Sequence, residues 1–74
     1  MNPEEIRKTV GQKILYLRKE YGISRKALAG LICMPERRLG RVENGDANAK
    51  LYDFHLKRLG EVFDVRVDVL FERI

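Results

Sequence analysis

The chain has 74 residues, of which 45% are hydrophobic and 35% charged, with a formal net charge of +4. That length supports one small domain over 1–74. The composition excludes disorder, and no apolar run is long enough to span a membrane. The charge is uneven: residues 1–45 carry ten Lys and Arg against five Asp and Glu, and residues 46–74 carry five against six, an asymmetry that favours a polyanionic partner.

The first helix is marked by Ile6, Val10, Ile14, Leu17 and Tyr21, which recur at helical spacing and form one apolar face. Pro3 suits its first turn, Glu4 and Glu5 suit its positive end, and Gly22 follows its last residue as a C-terminal cap. Ser24 reads as the N-cap of a second, short helix with Ala27, Leu28, Leu31 and Ile32 on its inner face. Met34-Pro35 should end that helix, because the residue before proline avoids helical geometry. Pro35 then starts a third helix, with Leu39 and Val42 inward and Asn44-Gly45 at its close. Residues 46–50 form a polar loop. A fourth helix carries Leu51, Phe54, Leu56, Leu59, Val62 and Phe63 on or near one face. The last stretch is ambiguous. Val67, Leu70, Phe71 and Ile74 fit a fifth helix, whereas Val65, Val67, Val69 and Phe71 alternate as in a strand, which would want a partner strand. The expected fold is all-α, a compact bundle of four or five helices, with the C-terminal β-strand as the alternative.

Chemistry is scarce. Cys33 is the only cysteine and His55 the only histidine, so neither an intrachain disulfide nor a cysteine-rich metal site is possible. Cys33 reads as a small buried hydrophobe. No triad, metal cluster or phosphate-cradling glycine loop is present, so neither an enzyme nor a cofactor is expected, and no small-molecule ligand is evident. The N-terminus, Met-Asn-Pro-Glu-Glu, lacks a basic-then-apolar leader, so a cytoplasmic location is expected.

Two short helices joined by a tight turn and packed on a longer first helix describe a helix-turn-helix, here with its core at about 24–43. Val10-Gly11, Ile14, Leu17-Arg18, Gly22-Ile23-Ser24, Leu28-Ala29, Ile32, Leu39 and Val42-Glu43-Asn44-Gly45 together resemble the Cro and phage-repressor family of helix-turn-helix proteins. The resemblance runs over roughly residues 10–71. It implies a helical bundle that binds operator DNA, usually as a homodimer. In this architecture the third helix enters the major groove with its N-terminal part at the base edges.

Glu36, Arg37 and Arg41 match the family's base-reading positions. Arginine can bridge guanine O6 and N7, and glutamate can accept from a cytosine amino group. Ser24, Arg25, Lys26, Arg38, Asn44 and Lys50 are candidates for phosphate contacts, with Ser24 and Asn44 also serving as caps. Cations at Arg25, Lys26, Arg37 and Arg38 cost a few tenths of a kcal/mol against the helix dipole. Opposite a phosphate they become attractive. The resemblance also matches Arg18 and Glu43 to a partly buried ion pair between the first helix and the end of the third.

Several residues depart from the family pattern. Cys33 stands where glycine is common, which implies a turn without strong positive φ, or strain. Pro35 replaces a hydroxyl cap, and Asp46 lies where a cation is frequent. Leu15 and Tyr16 occupy normally polar helix positions, as surface residues or as a patch for a partner. The function implied is sequence-specific binding of double-stranded DNA by a transcriptional regulator of repressor type. The alternative on the same fold is an antitoxin-like interaction module that neutralises a protein partner and binds its own promoter.

Overall fold

The structure is a computed structural model that describes residues 2–74. Its first helix, α1, runs Pro3–Glu20 and starts where the Asn2 side chain accepts the backbone N–H of Glu5 at 2.8 Å. Three further helices follow: α2 Arg25–Leu31, α3 Glu36–Glu43 and α4 Asp53–Phe63. A single 3-10 helix over Val67–Phe71 closes the chain. The architecture is all-helical, and among the described residues no strand forms, so the strand alternative for the C-terminus does not hold. Of the alternating residues Val67 and Phe71 are exposed and Val65 packs only partly against the core, whereas the fully buried side chain here is Leu70, which lies outside that alternation. One anchored side chain suits a short tight turn, and a solitary strand would leave its backbone unpaired.

All four α-helices end in the same way. In each, a backbone N–H reaches back five residues to a carbonyl while the preceding N–H reaches back three. The bonds are Ile23 to Arg18 and Gly22 to Lys19, Met34 to Ala29 and Cys33 to Gly30, Asp46 to Arg41 and Gly45 to Val42, and Val65 to Gly60 and Asp64 to Glu61. This closing motif requires one residue with positive φ. Gly22 and Gly45 supply it without a Cβ penalty, at φ 66° and 76°. Asp64 at φ 53° is a tolerated substitute. Cys33 at φ 61° is not. The turn of the helix-turn-helix therefore keeps its left-handed geometry and bears the strain, and Cys33 is exposed rather than buried.

The core unites Val10 and Ile14 of α1, Leu28, Ala29 and Ile32 from α2 and its end, Met34, Leu39 and Val42 around α3, Leu59 and Phe63 of α4, and Leu70. Three inward assignments change. Ala27 and Leu31 of α2 face out, while Ala29 and Met34 are buried. Phe54 is half exposed and stacks with Tyr52 and His55 at the start of α4.

Two contacts fix α3 onto α1. A Cβ on Gly11 would lie 2.3 Å from the Val42 carbonyl oxygen and 2.8 Å from that of Glu43, so only glycine lets the two backbones approach this closely. About two helical turns further along α1, Arg18 reaches Glu43 with Nε at 2.8 Å and Nη2 at 3.2 Å from the two carboxylate oxygens, and its Nη1 donates to the Ile23 carbonyl at 3.2 Å. Tyr21 donates its hydroxyl proton to the Phe63 carbonyl at 2.6 Å and meets the Phe63 ring edge-on, tying α1 to the end of α4.

Candidate nucleic-acid interface

Ser24 opens α2 by accepting the Ala27 N–H at 3.1 Å. Its hydroxyl is thus engaged as a cap, as its residue type favours. The cap leaves Arg25 and Lys26 exposed on the first turn of α2. No side chain caps α3, because Pro35 stands at its N-cap. The free N–H groups of that first turn therefore face whatever lies beyond it.

Arg25, Glu36, Arg37, Gly40, Arg41 and Asn44 line one shallow groove on the outer face of these helices. The two halves of the motif meet there at Gly40. A Cβ at that position would lie 2.9 Å from Arg25 Nη1, so the Arg25 guanidinium lies across α3. Its Nε is 3.7 Å from Glu36 Oε2. At the other end of the groove Arg41 Nε donates to Asp46 Oδ2 at 2.9 Å. Glu36, Arg37 and Arg41 thus share one face, with Asn44 at its C-terminal edge. Arg38 does not line this groove. It is partly covered, with Nε shielded from solvent and without a hydrogen-bond partner. Lys50 is exposed in the loop before α4 and also lies outside the groove.

Two features of the region are not evident from residue types. Asp46 is the first. It sits just beyond the closing glycine of α3, where the Asn48 N–H reaches its Oδ1 at 2.8 Å. That hydrogen bond, reinforced by Arg41, holds its carboxyl below the usual aspartate value. The second is His55, whose side chain is fully buried at the start of α4. Its Nδ1 accepts the Tyr52 N–H at 2.9 Å, which places the proton of the neutral ring on Nε2. Burial, reinforced by the nearby Arg38 cation, holds His55 below the ordinary histidine value, against a weaker opposing pull from the Cys33 backbone. The only cysteine and the only histidine therefore do approach one another, through backbone rather than thiol.

Among the described residues no group of three or more His, Cys, Asp or Glu side chains gathers to hold a metal ion, and no helix is long and apolar enough to cross a membrane. The groove offers charged forks and helix-start N–H groups, which recognise anions and base edges. A short helix held across a capped partner, with its exposed face lined by arginines, defines a helix-turn-helix DNA-binding domain.

The comparisons agree. The Helix-turn-helix family model matches residues 14–70, and the chain belongs to this family, of the Cro/C1 type. Among solved structures the chain is similar to the restriction-modification controller protein C.AhdI from Aeromonas hydrophila, at 28% identity and a TM-score of 0.76, covering 88% of this chain and 96% of that one. No curated protein sequence matches. DNA binding in the regulation of transcription is thus the general role of this domain.

Proposed function

We propose that the chain is a sequence-specific regulator of repressor type that binds operator DNA as a homodimer and reads the major groove with α3. The observation that carries this is the groove shared by Arg25, Glu36, Arg37, Gly40, Arg41 and Asn44. Arg37 and Arg41 are four residues apart on one helical face and present guanidinium forks to guanine O6 and N7. Glu36 offers an acceptor for a cytosine amino group. Ser24, Arg25, Lys26, Arg38, Asn44 and Lys50 contribute phosphate contacts that set the docking orientation without specifying sequence. The Arg18–Glu43 pair acts behind the surface by fixing the end of α3 to α1. Similarity to a restriction-modification controller protein supports a regulatory role of this type. In this reading the protein acts in the cytoplasm and catalyses no reaction.

Selection of bound sequences from a random duplex pool, at near-physiological salt, tests the proposal. An enriched motif with two-fold symmetry is expected, and its half-site spacing locates the dimer axis. Sedimentation of the free protein reads the homodimer independently. A lowered reporter signal when the site overlaps a promoter reads repression. Failure of the folded protein to enrich any sequence rejects specific recognition. That outcome turns attention to the antitoxin-like reading, which the half-exposed stack of Tyr52 and Phe54 on α4 supports as a protein-facing surface.

A further inference from the structure

The geometry points to Asp46 as a specificity-determining positioning residue, one that holds Arg41 in its reading orientation and keeps the reading face from clinging to DNA of any sequence. The inference rests on the proposed role of α3 and deepens it.

Three bonds fix Asp46. Its backbone N–H donates to the Arg41 carbonyl at 3.0 Å. One carboxylate oxygen, Oδ1, accepts the Asn48 N–H at 2.8 Å, and the other, Oδ2, accepts from Arg41 Nε at 2.9 Å. The same residue therefore grips Arg41 at both its main chain and its side chain, with each of its carboxylate oxygens accepting one bond. The motif that closes α3 makes this possible. Gly45 at φ 76° reverses the chain, so the next residue is returned alongside the helix turn it has just left.

The bond to Arg41 uses Nε alone. The two terminal amino groups lie outside it, and theirs is the spacing that matches O6 and N7 of one guanine. A free arginine side chain carries up to about 2 kcal/mol of rotamer entropy that a base contact must overcome. Arg41 has lost part of that freedom before DNA arrives. Asp46 also places a negative charge at the edge of a basic groove. Any arrangement that brings a phosphate to Arg41 must bring it towards this carboxylate as well. Non-specific binding is almost entirely phosphate attraction, so the carboxylate penalises it selectively. A base edge, which carries no net charge, meets little of that penalty.

The test uses Asp46→Asn, which removes the charge while keeping an oxygen for the Asn48 N–H. Binding is measured to the selected duplex, to that duplex with the Arg41-contacted base pair changed, and to a random duplex, over a range of salt. Asp46→Asn should bind the random duplex about threefold or more tightly than the native protein, with a salt slope steeper by up to about one. Discrimination against the changed base pair should fall by about fivefold or more. The double variant Asp46→Asn, Arg41→Ala should discriminate no better and no worse than Arg41→Ala alone. A melting curve close to the native one shows that these changes do not come from misfolding. An unchanged discrimination ratio in Asp46→Asn overturns the inference. If Arg41→Ala itself leaves affinity for the selected duplex intact, or no duplex is selected, the reading of α3 falls and the role of Asp46 falls with it. If Arg41→Ala loses affinity while Asp46→Asn discriminates normally, the role of Asp46 falls alone.

Discussion

Two arginine–carboxylate pairs meet at the end of α3, one bidentate and one through Nε alone, and their surroundings differ most. Arg18 reaches Glu43 at 2.8 Å and Arg41 reaches Asp46 at 2.9 Å. The side chains of the first pair are 15% and 4% exposed, those of the second 45% and 34%. The short bond is therefore not what separates them. In the first, each charge depends on the other because water cannot replace it. In the second, water can take over from either partner, so little stability is at stake and the arrangement is open to use at a surface. Burial decides which pair holds the protein together and which stays accessible at the surface.

Breaking the buried pair should have the largest effect. Glu43→Ala leaves Arg18 without its carboxylate and should cost about 3–5 kcal/mol of stability, read as a drop in melting temperature. A melt within a degree of native would show that water compensates at both sites. Arg41→Ala should reverse the pattern. Its stability should stay within about 0.5 kcal/mol of native, while affinity for a selected duplex falls by about 1–3 kcal/mol with relaxed specificity. A comparison of backbone in place of charge gives a smaller effect. Cys33 and Gly45 occupy the same place in the same closing motif, before and after α3. Cys33→Gly should therefore stabilise the fold by about 1 kcal/mol, seen as a higher midpoint in urea. Lys26→Ala should change least: melting near native, all duplexes weakened alike, and the salt slope lowered by about one.

Acid extends the comparison to the two groups held below their ordinary values. His55 is buried with its Nδ1 committed as an acceptor, so the unfolded chain takes up that proton at a higher pH than the folded one. Stability from His55 is complete above its ordinary value near 6.5 and is lost as the pH falls through the lower folded value. Asp46 has the same sign in a more acidic window, present above 3.8 and lost below it, but it is screened by solvent. A pH series of melts should thus decline first below about pH 6.5, and His55→Gln should flatten that step.

Much of this was legible in the residues. The spacing of Ile6, Val10, Ile14 and Leu17, the cap at Ser24 and the glycines at 22 and 45 are local signals, and local physics places α1 and the starts and ends of its neighbours. The helical spacing of Leu39 and Val42 leaves 36, 37, 38 and 41 outward, and the family resemblance is what singles out 36, 37 and 41. The facing of α2 was less legible. Seven residues make fewer than two turns, so an apolar stripe at 27, 28, 31 and 32 can shift by one residue, and the choice fell to Ala29 and Met34 through contacts distant in sequence. Phe54 was misplaced because an aromatic at a helix start can be satisfied by stacking on Tyr52. Three alternating valines disguised the C-terminal 3-10 helix, whose only anchor is Leu70. Cys33 gives no turn signal, and its positive φ follows from the motif around it. The pairing of Arg41 with Asp46 depends on the chain reversal at Gly45, which no spacing rule within a helix anticipates.

The glycine beneath α3 has a consequence for how such a protein changes its target. Gly11 is the seat on which α3 rests, with two carbonyl oxygens of α3 against the place where a side chain would begin. A single methyl there acts as a shim. It changes no residue of the groove proposed to read bases, and tilts the helix that carries them. In a two-fold complex, a small change of heading in each half alters the distance between the two reading heads. On the proposed reading, substitutions on the outer face of α3 rewrite the letters of an address, and a substitution at this buried position rewrites the gap between its two halves.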